Sequence, residues 1–277
     1  METLANIARE LLAAGTVQTV IGYGHGSGEA ALTRTHTQTQ ARAVFIRDVA
    51  KAGSLIFDAS CQQNLAVYLM KPEVRRLGKA ALVATPAALR TILQLAAENQ
   101  VSDHDLLALA VNGQGEVALL ATLAAIEAHV AALDNDLKPG EIAELQKYAA
   151  LDLEQRRQFW EEQFSRCLKC YACRGACPLC YCSRCTVECN QPQWIPVPAH
   201  DLGNLEWNVM RAMHLAGRCV NCGDCSRACP VGIPLHLLNQ KLISEVLDNF
   251  DSRSGMAAKA DNAMSTFKPD DPEDFIR

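Results

Sequence analysis

Cys167-x-x-Cys170-x-x-Cys173-x-x-x-Cys177-Pro178, followed by Cys219-x-x-Cys222-x-x-Cys225-x-x-x-Cys229-Pro230, is the pattern around which this chain is organised. The stretch from Cys167 to Pro230 holds twelve of the thirteen cysteines and writes one ligand pattern twice. Three thiols spaced two residues apart can wrap a loop around an object larger than a single ion. Each sulfur then reaches a different point on that object, and a fourth ligand must come from elsewhere. The proline after each fourth cysteine stops the loop from continuing as helix and has no N–H to leave unsatisfied. A lone Cys-x-x-Cys would carry little weight, whereas two complete runs, each closed by Cys-Pro, are specific.

Each run is the one with which bacterial ferredoxins hold 4Fe-4S clusters, the fourth cysteine of one run ligating the cluster of the other. The expected ligation is therefore crossed. Cys167, Cys170, Cys173 and Cys229 hold one cluster, and Cys219, Cys222, Cys225 and Cys177 hold the second. Zinc and a disulfide framework fit the doubled three-cysteine loop less well. Four cysteines are left over: Cys180, Cys182, Cys185 and Cys189. The last three repeat the closing positions of the ferredoxin run, and Cys180 completes a set of four. A third 4Fe-4S cube, a tetrahedral zinc ion, a partition in which Cys61 replaces one of the four, and uncoordinated thiols all stay open at this point. Around these cysteines, from Ser165 to Pro230, stand seven Lys or Arg against four Asp or Glu. Among them Arg166, Lys169, Arg174, Arg184, Arg218 and Arg227 sit beside or between the thiols, where positive charge favours the reduced form of an anionic cube.

A chain of 277 residues accommodates two modest domains. Apolar residues make up 49% and aromatics 5%, so the core is expected to be Ala, Leu and Val. Val117 to Leu133 is the longest apolar-leaning stretch. Thr122, Glu127 and His129 interrupt it, and it falls short of the roughly 20 residues that span a bilayer. Met1-Glu2-Thr3 opens an amphipathic pattern rather than a secretory signal. Thirteen thiols then point to a reducing cytoplasm. A net charge of -5 argues against general nucleic-acid binding.

The fold class expected is an α/β N-terminal domain followed by a mainly helical, ferredoxin-like, multi-cluster domain. Residues 1–14 read as a helix with Leu4, Ile7, Ala8, Leu11 and Leu12 on one stripe. A short strand, Val17 to Ile21, leads into Gly22-Tyr23-Gly24-His25-Gly26-Ser27-Gly28, which matches neither the dinucleotide nor the Walker pattern. Val44 to Ile46, Ser54 to Phe57, Ala80 to Ala84 and Leu106 to Val111 alternate with helical patterns near Gln63 to Leu69 and from Pro86 to Glu98. Such alternation predicts a mainly parallel sheet with ligands at the carboxyl ends of its strands, in the loops after Ile21, Phe57, Ala84 and Val111. Cys61, in one of these loops, reads as a buried structural thiol. Ala118 to Leu133 and Glu141 to Phe164 read as helices. Leu202, Leu205, Val209, Met210 and Met213 recur at helical spacing and are expected in the core. A further helix follows Pro234. The predicted domains are 1–135, a helical linker 136–165, the iron-sulfur domain 166–250 and an extended arm 251–277.

On these residues the chain resembles the iron-sulfur (beta) subunit family of formate dehydrogenases and deazaflavin-coenzyme hydrogenases, of the kind associated with heterodisulfide-reductase-like complexes. Ile21-Gly22-Tyr23, the segment from Cys61 to Leu69, Ala176-Cys177-Pro178-Leu179-Cys180-Tyr181-Cys182 and Thr266-Phe267-Lys268-Pro269-Asp270-Asp271-Pro272 carry the likeness. The resemblance implies an electron-transfer subunit relaying single electrons between a formate dehydrogenase or hydrogenase and a heterodisulfide-reductase-like or flavin-bearing partner. Family members with a complete N-terminal domain bind a flavin there and reduce a coenzyme. Here Thr85-Pro86-Ala87-Ala88-Leu89-Arg90 stands in place of the expected cysteine-and-aspartate loop, which counts against flavin. No nucleophile, base and oxyanion set appears, so a substrate of its own is not expected. A flavin-containing oxidoreductase subunit is the alternative, and a zinc-dependent binding module a third.

Overall fold

The computed structural model describes residues 2–25, 41–133, 139–185, 192 and 195–259. The chain forms two compact units. One comprises Met1–Leu133 with Gly255–Ala260, and the other is built from the chain between Asp134 and Ser254.

The first unit runs α1 (Glu2–Ala13), β1 (Thr19–His25), β2 (Ala41–Ile46), 3-10 turns at Val49–Ser54 and Leu65–Met70, α2 (Pro72–Arg75), β3 (Ala80–Ala84), α3 (Pro86–Ala97), β4 (Leu106–Val111), β5 (Val117–Leu120) and α4 (Leu123–Ala131). Its five strands lie in the order β2-β1-β3-β4-β5. The inner pairs β1–β3 and β3–β4 are parallel, and the outer pairs β1–β2 and β4–β5 are antiparallel. The sheet is thus mixed rather than mainly parallel. β3 and β4 are buried along their whole length, as strands flanked on both sides and covered on both faces must be. β5 returns on β4 through a turn in which Asn112 Oδ1 accepts from the N–H of Gln114 (3.0 Å) and of Glu116 (2.9 Å).

Several boundaries differ from the periodicity reading: β1 runs on to His25, so Gly22 to His25 of the expected glycine-rich loop is strand paired with β2, which itself starts at Ala41 rather than Val44. The helix expected over Ala118 to Leu133 is β5 followed by α4, because Thr122 caps α4 through Ala125 N at 3.2 Å and the preceding apolar residues pair with β4. Ser54 to Phe57 contributes one bridge, Tyr23 to Ile56. The helix near Gln63 is a 3-10 turn capped by Asn64, whose side chain also donates to Thr91 Oγ1 on α3 at 2.8 Å. Helix α3 starts as predicted, with Thr85 as cap and Pro86 in the first turn.

Two of the segments behind the family resemblance meet in this core: Tyr23 Oη donates to Gln63 O at 2.5 Å. A Cβ on Gly22 would stand 2.5 Å from Leu55 Cδ2, so glycine lets Leu55 lie directly on β1. A cavity of about 330 Å³, lined by Gly78, Lys79, Ala80 and Asp105, opens at the amino ends of β3 and β4, opposite the edge where a ligand was expected. After the second unit the chain returns: Gly255 N donates to Gln94 Oε1 on α3 (3.0 Å) and Ala258 N to Glu127 Oε2 on α4 (3.1 Å). Gly26, Ser27 and Gly28 of the glycine-rich segment, and the tail motif Thr266 to Pro272, lie outside the described residues.

Cys61 is buried, and its sulfur accepts from Asp58 N at 3.4 Å. Burial first, with the Asp58 carboxylate adding to it, raises its thiol pKa, although the Asp58 N–H works the other way. Less thiolate is then present at any given pH, so Cys61 is expected to resist alkylation at about pH 7.5 and to label only on unfolding. Peptide mapping after iodoacetamide treatment checks this. Labelling of the folded chain as fast as a free thiol would contradict it.

The second unit is helical among the described residues. It contains α5 (Pro139–Ala149), α6 (Leu153–Ser165), α7 (Ala172–Ala176), α8 (Asp201–Met213), α9 (Asp224–Arg227) and α10 (Leu235–Phe250). The single helix expected over Glu141 to Phe164 breaks at Asp152, which forms a reciprocal capping box with Gln155. Trp160, Phe164, Ile195, Trp207, Ile233, Leu235 and Leu237 form the core with Cys173 and Cys225 among them. Trp160 stacks on Phe164 at 5.1 Å and donates to Tyr148 Oη at 2.8 Å.

Candidate functional site

The two cysteine runs fold into the same loop. Lys169 and Asn221, each two residues after the first cysteine of its run, have positive φ (49° and 59°). Tyr171 (58°) and Gly223 (75°), each just after the second cysteine, do likewise and open α7 and α9. The left-handed conformation costs a residue with a side chain roughly 1–3 kcal/mol, so three such residues at matched positions mark a backbone held for a purpose. Its effect is to turn amides onto sulfur. Lys169 N donates to Cys167 Sγ at 3.5 Å, and the equivalent Asn221 N–H bonds Cys219. Ile233 N donates to Cys229 Sγ at 3.4 Å, and the backbone amides of Arg174, Ser226, Leu179 and Asp224 work to lower the Cys173, Cys225, Cys177 and Cys222 thiols, those of Arg174 and Ser226 while donating to Tyr171 O and Gly223 O.

The structure brings Cys167, Cys170, Cys173 and Cys229 to the wall of one cavity, which Trp207, Tyr171 and Ile233 also line. Cys177 interacts electrostatically with Cys219, Cys222 and Cys225. It is also hydrogen-bonded to Cys180. Cys180, Cys182 and Cys185 line a second cavity of about 180 Å³, together with Arg174, Arg211 and Arg218. Cys189 lies outside the described residues, and Cys61 belongs to the first unit.

These thiols are poor acids as they stand. Burial pushes Cys173 up to about 11 and Cys219 up to about 12, and it raises Cys222 and Cys225 as well. The hydrogen bond to Cys180 raises Cys177 and lowers Cys180. A metal bound by sulfur donors in such surroundings would have to displace their protons and supply the compensating charge. Amide N–H groups aimed at sulfur suit a thiolate better than a thiol, so the donor set fits an anionic iron-sulfur centre. Among the described residues, no three His, Cys, Asp or Glu side chains gather as ligands of one ion would. A tetrahedral zinc needs four donors within about 2.3 Å of one point, whereas a cube takes its thiolates on separate irons.

Helix α8 lies between the two runs in sequence, and only part of its predicted core stripe faces inward: Leu205 and Met210 pack against the core. Leu202, Val209 and Met213 of the predicted core stripe are exposed, at 60%, 41% and 51%, while Asn204, Asn208 and Arg211 are buried. The inward face carries donors that the cysteine loops use. Asn204 Nδ2 donates to Phe164 O and Cys167 O, both at 2.9 Å, and Arg211 Nη2 donates to Cys173 O at 3.1 Å. Arg211 was not among the cations singled out beside the cysteines. Its position on a polar i, i+4, i+7 stripe with Asn204 and Asn208 is the sequence signal that marks it.

An α/β unit joined in one chain to a helical unit of doubled cysteine loops defines a two-unit, thiol-rich protein. Two curated relatives make that class more particular. Over 106 residues, 38% of its length, the chain is 32% identical to the F420-dependent formate dehydrogenase subunit beta of Methanocaldococcus jannaschii. Over 105 residues it is 28% identical to the F420-dependent formate dehydrogenase 1 subunit beta of Methanococcus maripaludis. The likeness to the formate dehydrogenase beta-subunit family, first read from the motifs, is thus met by two proteins that carry that name. In each case the match spans about a quarter (26%) of the relative's length. No family model matches the chain. Among the described residues, no helix is long and apolar enough to cross a membrane.

Proposed function

We propose that this chain is an electron-relay subunit of a cytoplasmic formate dehydrogenase-type or hydrogenase-type complex, holding its centres in the second unit. The observation that carries the proposal is the matched pair of cysteine loops, with the same left-handed positions and the same amides turned onto sulfur. Cys167, Cys170, Cys173 and Cys229 are assigned to one 4Fe-4S cluster, and Cys219, Cys222, Cys225 and Cys177 to the second. Cys180, Cys182, Cys185 and Cys189 are assigned to a third. Bound clusters supply one-electron storage, at potentials set by charge, hydrogen bonds to sulfur and exposure.

The chain's own residues do the rest. Lys169, Asn221 and their counterparts hold amides toward the sulfurs. Trp207 and Ile233 keep the first cavity apolar, and Arg174, Arg211 and Arg218 give the second a cationic wall. The electron donor is a formate dehydrogenase or hydrogenase catalytic subunit, and the acceptor is a heterodisulfide-reductase-like or flavin-bearing partner. The first unit serves to dock a partner.

Serine substitutions test the crossed ligation. Cys177→Ser is expected to alter the same electron paramagnetic resonance signal as Cys222→Ser, while Cys170→Ser alters the other. If Cys177→Ser and Cys170→Ser instead damage one signal in common, each run closes on itself and the crossed assignment is wrong. Stoichiometric flavin released from the purified chain would move the chemistry to the first unit.

A further inference from the structure

We infer that Arg211 is an electrostatic positioning residue of the relay, whose fixed positive charge favours the reduced state of the centres held by the thiols around it. The inference rests on the iron-sulfur reading above and deepens it.

Arg211 is 5% exposed and comes from the inward face of α8. One arm of its guanidinium is fixed by the bond from Nη2 to Cys173 O. Its Nε is buried with no hydrogen-bond partner. Among the described residues it forms no ion pair with a carboxylate. It interacts electrostatically with Cys177, Cys180, Cys173 and Cys225, and so with one or more members of each of the three thiol groups. It also stands in the wall of the cavity with Cys182 and Cys185. Arg174 and Arg218 share that wall but are only half-buried, and they donate to the carbonyls of Cys182 and Leu179.

A buried cation without a carboxylate partner is unfavourable unless negative charge faces it. A thiolate-ligated cube is anionic and gains one further negative charge on reduction, so the interaction with a neighbouring guanidinium strengthens by one unit of charge. Low local dielectric and the absence of screening salt make that difference large. A guanidinium does not release its proton, so the bias stays constant during turnover. Each hop moves one electron from a reduced centre to an oxidised one, and no bond or proton changes place. Because Arg211 faces several thiol groups, it shifts their potentials in the same direction.

The test is an anaerobic redox titration of the full-length, iron-loaded chain, followed by electron paramagnetic resonance, for the unaltered protein and for Arg211→Gln, Arg211→Met and Arg211→Lys. In the neutral variants with full iron content, at least two centres are expected to become harder to reduce. At a fixed ambient potential their reduced-to-oxidised ratio should fall about tenfold, equivalent to 59 mV for a one-electron couple. Arg211→Lys should recover part of the shift. Unmoved midpoints at full iron content overturn the inference. Failure of both neutral variants to hold iron makes Arg211 a folding residue and overturns it equally. If the unaltered chain shows no reducible iron signal, the iron-sulfur reading itself falls, and this inference falls with it.

Discussion

Replacing Trp207 with alanine is expected to destabilise the second unit by about 3–5 kcal/mol, the range for removing a buried large aromatic, and to release iron from more than one centre. Trp207 is 2% exposed and lies against both thiol-lined cavities. It meets Tyr171 edge-on, with ring centroids 4.9 Å apart at 90°. Tyr171 is itself left-handed, so the indole also braces a strained position in the first cysteine loop. Loss of the aromatic pair adds about 0.5–1.5 kcal/mol beyond the area term. Against a total stability of about 5–15 kcal/mol for a domain, one substitution would remove a large fraction. Denaturant unfolding under anaerobic conditions, followed by bleaching of the iron-sulfur absorbance, reports on this unit alone. Trp207→Phe should retain most of the stability. A midpoint change equivalent to less than about 1 kcal/mol for the alanine variant would mean that the wall between the cavities is not what holds them.

The parts of the fold that a linear pattern could reveal are those whose burial follows from one local rule. Ala80 to Ala84 and Leu106 to Val111 appear as strands with the ends read from the sequence, because a strand covered on both faces leaves an unbroken apolar run. Pro86 after Thr85 marked the start of α3 for an equally local reason, a cap followed by a residue without N–H. β5 was hidden because Val117 to Leu120 adjoins an alanine-rich helix of similar hydropathy, and pairing with β4 decides its state. Helix α8 shows the opposite kind of failure. Of its expected stripe, Leu205 and Met210 pack on the core while the other three residues face outward. Periodicity states that a helix has two faces, but here the interior is a set of thiols and carbonyls that need donors, so Asn204, Asn208 and Arg211 turn inward and Leu202, Val209 and Met213 outward. The cysteine spacing identified the thiols. The left-handed Lys169 and Tyr171 were invisible in it, since neither residue type ordinarily marks positive φ.

Anaerobically purified chain is expected to contain about twelve irons, four for each of three cubes, and Cys182→Ser or Cys185→Ser about eight. The local structure around Cys180, Cys182 and Cys185 carries the expectation. These three thiols share one cavity, and the backbone that bears them is pinned by arginines: Arg174 Nη2 donates to Cys182 O and Arg218 Nη2 to Leu179 O, both at 3.3 Å. Arg218 also lies over the Tyr181 ring, 5.4 Å from its centroid. Cationic side chains on a thiol loop suit a ligand set that becomes strongly negative when loaded, and a cube bearing four thiolates remains anionic in both redox states. A zinc ion with four thiolates is also anionic, so charge alone does not separate the two, and metal counting does. About eight irons with one zinc per chain would replace the third cube by zinc. About eight irons with no zinc would remove both and leave Cys180 as a hydrogen-bond partner of Cys177 rather than a ligand. Cys182 and Cys185 are the informative positions, because Cys180 stands beside Cys177 and its substitution would disturb the second cluster as well.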